Sequence, residues 1–210
     1  DSVKSGSVTV SHLRFGPSII LSEYLLQHAD YVACSQFSYI KKFGARLLKE
    51  AVKGAKFVLN TKFTGDERKQ HLPLPVRREI VRKEIQFYVV DAEKISTSVG
   101  LAGRFNMVMQ TVFFKLSGSL SLVEAIQKLK PFIKKIYGRK GDDIVNANFE
   151  CVDRTLDEGV IKQNEYDDSW ASDLTEADKD LVDTRPSQQN KTAYVKDIVE
   201  PVLKYVSESV

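Results

Sequence analysis

Two short apolar runs, residues 56–60 and 85–91, constrain this chain more than any other feature. Each is dominated by Val, Leu, Ile, Phe and Tyr, and helical periodicity precedes each, over 36–51 and 76–84. A strand that is apolar on both faces has to be covered on both faces, and strands alternating with helices form crossover units in a mainly parallel sheet. The pattern predicts an α/β fold: a mainly parallel sheet flanked by helices, with a helical C-terminal part and an extended acidic tail.

Other stretches extend this reading. Residues 7–15 alternate apolar and polar side chains up to Gly16-Pro17, which predicts a half-buried strand and a turn. A short helical stretch over 20–27 and a more buried strand over 30–35 follow. The polar segment 61–75, with Pro73 and Pro75, reads as a surface loop. From Arg104 onward the spacing predicts helices over 106–116, 120–137 and 142–158, and Ser121 with Glu124 forms a capping-box pattern. Beyond Gly159 the chain turns acidic and polar. Residues 1–159 are expected to form one domain and 160–191 an acidic linker anchored by Trp170 in an apolar groove. Residues 192–210 are expected to hold a C-terminal helix leading to a next domain, broken before Pro201.

Charge is divided unevenly. Residues 1–140 carry 24 Lys and Arg against 11 Asp and Glu, and residues 141–210 carry 7 against 17, giving +13 and −10 within a net charge of +3. A basic body attracts phosphorylated ligands or acidic partners, while the acidic tail argues against an open nucleic-acid surface, so no nucleic-acid partner is expected. A merely solvated basic face is the plainer alternative. No run approaches the ~20 apolar residues of a spanning helix, and no membrane partner is expected. Cys34 and Cys151 lie far apart without metal-ligand spacing, which predicts free thiols, a reducing compartment and no metal bound by this segment.

The chemistry-bearing candidates are two turns. Gly100-Leu101-Ala102-Gly103-Arg104-Phe105-Asn106 precedes a long apolar helix pattern. The glycines let backbone N–H groups approach a ligand, the helix start adds unsatisfied donors, and Arg104 offers a forked cation. Lys4-Ser5-Gly6-Ser7 combines a cation, two hydroxyls and a permissive glycine. A Gly-rich turn with a solvated arginine, and a loose terminus, are the alternatives. The three histidines fit no nucleophilic triad, and neither a P-loop nor a G-x-G-x-x-G pattern occurs, which suggests a binding module without its own chemistry.

The segments DSVKSGSVTVSHLRFG (1–16), ADYVAC (29–34), KFVLNT (56–61), FYVVDAEKI (87–95) and GLAGRFNMVMQTVFFKLSG (100–118) resemble the third, gamma-subunit-like domain of pyruvate:ferredoxin/flavodoxin oxidoreductase. The resemblance continues in order through YGRKGDDIVNANFECVD (137–153), YDDSW (166–170) and VKDIVEPVL (195–203), and pyruvate:NADP oxidoreductases carry the same domain. It implies a coenzyme A-binding domain, with thiamine diphosphate and [4Fe–4S] clusters held by other domains of a homodimeric parent enzyme. Ferredoxin, flavodoxin or NADP would accept the electrons. It also implies a cytoplasmic setting, or the reducing lumen of a mitochondrion-related organelle in a protist. Lys4, Ser5, Gly6, Gly103, Arg104 and Asn106 are the implied coenzyme A contacts, and no residue here is implied to be catalytic. Val3 stands where the family usually has a lysine, Ser7 and Ala102 where it has glycine, and Ser35 where it has histidine. The family's domain begins with a further strand-loop-helix and runs on past position 210, so a fragment is expected. A domain that keeps the fold but has lost coenzyme A binding is the alternative.

Overall fold

A computed structural model describes residues 9–21, 25–157, 162–163, 166–175 and 177–178. Strands β1 (Ala29–Cys34), β2 (Ala51–Asn60) and β3 (Gln86–Val90) lie side by side in that order and run parallel. The two-residue strand β4 (Lys162–Gln163) adds antiparallel to β3. The expected mainly parallel sheet is therefore present.

The strands are apolar on both faces because each face carries its own core. Phe57, Leu59, Phe87 and Val89 point to one side, where they meet Ile40 of α1 (Ser38–Phe43) and Val76 and Ile80 of α3 (Leu74–Arg82). Phe57 and Phe87 are register partners and stack at 5.4 Å. Val58 and Val90 point to the other side, which is covered by α4 (Ala92–Ser98), α5 (Asn106–Ser117), α6 (Leu122–Tyr137) and α7 (Asp142–Asp157). In α6 the stripe Ala125, Leu129 and Ile133 is buried at four-residue spacing, and in α7 Val145, Asn148, Cys151, Val152 and Thr155 form the inward face. Ser121 and Glu124 close the capping box expected of them. Cys34 and Cys151 are free and buried.

The chain after α7 returns to the first face. Trp170, in α8 (Ser169–Ser172), is only 8% exposed and packs edge-on against Phe87 at 6.1 Å, and the Tyr166 hydroxyl donates to the Ile85 carbonyl at 2.7 Å. The anchoring groove expected for Trp170 is this core. Arg77 of α3 reaches up to hold the segment, donating to the carbonyls of Trp170 and Asp173 and to the Asp178 carboxylate.

Several local expectations are corrected. Residues 9–15 form no strand: the alternation is real, but the segment pairs with no strand among the described residues, and Val10, Leu13 and Phe15 stay more than 60% exposed. No helix occupies the described parts of 20–27. The helix over 36–51 divides into α1 and a 3₁₀ turn at Gly44–Leu48, with Gly44 at φ +53°, and Ala51 already belongs to β2. The loop over 61–75 contains α2 (Asp66–His71), and α4 had no counterpart in the sequence reading. The linker beyond residue 178 and the C-terminal helix over 192–206 lie outside the described residues. Among the described residues no helix is long and apolar enough to cross a membrane.

Candidate functional site

The carboxyl ends of three neighbouring parallel strands open onto one cleft of about 540 Å³. This is the edge of an open α/β sheet where ligands bind, because successive loops there diverge and leave a crevice. Its volume falls within the ~300–1,000 Å³ of small-molecule sites. Ser35, Gln36 and Phe37 follow β1, and Thr61, Lys62 and Phe63 follow β2. Asp91 and Glu93 follow β3, and Gly103 and Phe105 come from the turn before α5.

Asn60, the last residue of β2, fixes the floor. Its Nδ2 donates to the Ser35 carbonyl at 3.0 Å, and its Oδ1 accepts from the Ala92 N–H at 3.0 Å. The chains leaving β1 and β3 are thus tied to one amide. The Thr61 N–H donates to the Val90 carbonyl at 2.9 Å, and the Phe63 N–H to the Thr61 hydroxyl at 3.2 Å. The Phe63 ring stacks on His71 at 3.8 Å and meets Phe37 edge-on at 5.2 Å, forming an aromatic wall.

The opposite lip belongs to α4. Asp91 caps it, accepting from the Lys94 N–H at 2.9 Å, and Glu93 accepts from the Gly103 N–H at 3.1 Å. Gly103 has φ +74°, a region that L side chains rarely adopt, so glycine is what lets the chain turn its N–H toward the lip. Next to it Arg104 is exposed, its backbone N–H closing the turn on the Leu101 carbonyl at 2.8 Å. Asn106 is exposed and begins α5, whose first turn receives no side-chain cap from Phe105. A helix start of this kind offers backbone donors to an anion.

Of the six sequence-predicted contacts, Gly103 lines the cleft, and Arg104 and Asn106 are exposed residues flanking Phe105, which also lines it. Lys4, Ser5 and Gly6 lie outside the described residues. The sequence reading missed Asn60, Lys62, Phe63, Asp91 and Glu93. The signal that finds them is positional: each sits at or just past the carboxyl end of a buried parallel strand. Among the described residues no group of three or more His, Cys, Asp or Glu side chains is placed to hold a metal ion. A [4Fe–4S] cluster needs cysteine thiolates, and Cys34 and Cys151 sit in separate cores.

Residues 1–158 match the family model described as pyruvate ferredoxin/flavodoxin oxidoreductase. The pyruvate-flavodoxin oxidoreductase of Trichormus variabilis is 48% identical over 157 residues, which cover 75% of this chain and 13% of that protein. The pyruvate:ferredoxin oxidoreductase of Moorella thermoacetica is 43% identical, covering 84% of this chain and 15% of that protein. The mitochondrial pyruvate dehydrogenase [NADP(+)] of Euglena gracilis is 38% identical over 98% of this chain and 11% of its own length. This chain therefore spans roughly an eighth of the length of the curated relatives it matches. Among solved structures, pyruvate oxidoreductase subunit PORC of Thermotoga maritima superposes with a TM-score of 0.48 at 14% identity, covering 66% of this chain and 67% of that one.

Proposed function

The chain belongs to the pyruvate ferredoxin/flavodoxin oxidoreductase family, and from that premise we propose that it is the coenzyme A-binding domain of a larger 2-oxoacid oxidoreductase. That enzyme converts pyruvate and coenzyme A to acetyl-CoA and CO₂, releasing two electrons and a proton. The single observation that carries the reading is the cleft at the strand ends, lined by Gly103 of the turn that runs on through Arg104 to Asn106.

In this reading Arg104 holds a phosphate of the cosubstrate by a charge-assisted bond, and the Asn106 amide and the open first turn of α5 add neutral donors. Lys4, Ser5 and Gly6 supply a second set from the N-terminal segment. Thiamine diphosphate supplies the decarboxylation chemistry, and it and the iron–sulfur clusters belong to other domains of a homodimeric parent, which delivers electrons to ferredoxin, flavodoxin or NADP. This chain's part is to bind and orient coenzyme A.

Calorimetric titration of the full-length protein with coenzyme A tests the reading. Arg104→Ala is expected to weaken binding by about 1.5–3 kcal/mol, the value of a hydrogen bond to a charged group. Unchanged affinity rejects the role given to Arg104. One observation favours a second reading, a docking domain that has kept the fold and lost its ligand: the Gly103 N–H is already taken by Glu93. Absence of coenzyme A binding to the full-length protein selects that reading.

A further inference from the structure

The lining of the cleft is not that of a phosphate site throughout. Phe37, Phe63 and Phe105 are half-buried there, and Phe63 presents a flat ring already backed by His71. Facing the cleft from the α4 lip are two carboxylates, Asp91 and Glu93. Each uses one oxygen on a backbone N–H, Oδ1 on Lys94 and Oε1 on Gly103, and a carboxylate has further lone pairs to offer. Acceptor-only groups repel a phosphate and attract amine and hydroxyl donors. The Lys62 ammonium lies over the Phe63 ring, 5.8 Å from its centroid, where an incoming flat ring would displace it, and Arg104 stands exposed on the turn between the lining residues Gly103 and Phe105.

From this division we infer that the interior of the cleft takes the adenosine end of the nucleotide, with Phe63 as its stacking platform and the Asp91/Glu93 lip as its acceptor. The inference rests on the coenzyme A reading and deepens it. A purine has an extended π-face that stacks on an aromatic ring, and stacking of this kind is worth a large part of single-base affinity. The exocyclic amine of adenine and the ribose hydroxyls are donors that match the carboxylates, as Asp and Glu match amino groups on base edges. The phosphates then lie outward, toward the exposed Arg104. Glu93 has two roles in this arrangement: one oxygen accepts from the Gly103 N–H and the other is offered to the ligand's donors.

The experiment is calorimetric titration of the full-length protein with adenosine 3′,5′-bisphosphate, coenzyme A and the hypoxanthine counterpart of the bisphosphate. Phe63→Leu is expected to weaken the adenosine bisphosphate and coenzyme A by roughly tenfold or more, the loss of one stacked base. Phe63→Trp, which keeps an aromatic face, is expected to retain the affinity and shows that the site still folds. The hypoxanthine compound, whose 6-oxo group meets a carboxylate, is expected to bind at least tenfold more weakly than the adenine one. Equal affinity of wild type and Phe63→Leu overturns the inference while leaving the coenzyme A reading standing, and so does coenzyme A binding without binding of the adenosine bisphosphate. Failure of coenzyme A itself to bind overturns both.

Discussion

The guanidinium of Arg77 and the carboxylate of Asp178 meet at 2.6 Å, although the residues are 101 positions apart and their side chains are 0% and 8% exposed. Arg77 also donates to the carbonyls of Leu72, Trp170 and Asp173 at 2.7–2.9 Å. Asp178 in turn accepts from the N–H groups of Leu74 and Thr175 and from the Thr175 hydroxyl. One side chain on α3 therefore closes the late segment over the sheet. Removing it strands a buried carboxylate, so Arg77→Ala is expected to cost about 3–5 kcal/mol in urea unfolding.

Acid should open the same clamp. Burial alone would raise the Asp178 pKa, but the N–H donors of Leu74 and Thr175, the Thr175 hydroxyl and the Arg77 charge outweigh it and hold the carboxyl below the usual aspartate range. A carboxyl whose pKa is lower folded than unfolded contributes stability that is fully present above the unfolded value, ~4, and is lost as pH falls through the folded one. The urea midpoint is expected to fall below pH ~4. Asp178→Asn should lower it at neutral pH and flatten its dependence on acid, and an unchanged acid slope would remove Asp178 from the account.

Trp170 is the only tryptophan in the chain, which makes docking of α8 directly observable. Its emission is expected to shift to the red at the same urea concentration at which far-UV circular dichroism is lost. Trp170→Ala is expected to cost ~3–5 kcal/mol, the range for a large buried aromatic. An earlier fluorescence transition would mean that the segment undocks separately from the sheet.

Both thiols should be silent in the folded protein. Burial pushes Cys34 up to about 11, and burial with the neighbouring Glu150 charge pushes Cys151 up to about 11. The reactive species is the thiolate. A disulfide reagent at pH 8 is therefore expected to label neither cysteine natively and both in denaturant.

Gly103→Ala tests the rim without touching a packed neighbour, because a Cβ there meets nothing within 4 Å. The cost comes from the backbone at φ +74° and is expected to be about 1–2 kcal/mol by thermal melting. Gly103→Asn, which tolerates that region better, should cost less.

How much of this was legible in the residues follows from the range of the forces involved. The runs around Phe57 and Phe87 announced a sheet covered on both sides, since apolar side chains on successive positions leave no face for water. The Ser121 and Glu124 pair announced a helix start for an equally local reason. The stretch over 9–15 misled because alternation specifies a strand only where another strand pairs with it. Arg77 gave no signal of burial, most of its partners being about a hundred residues away. Gly103, Arg104 and Asn106 were readable as a turn before a helix, whereas Asn60, Phe63 and Glu93 became site residues only through the order of the strands.

The double bond made by Asn60 has a mechanical consequence. Because the loops after β1 and β3 share one amide at the end of β2, a shift of either away from it breaks a hydrogen bond to Asn60. A displacement of Asn60 would therefore strain the exits of β1 and β3 together.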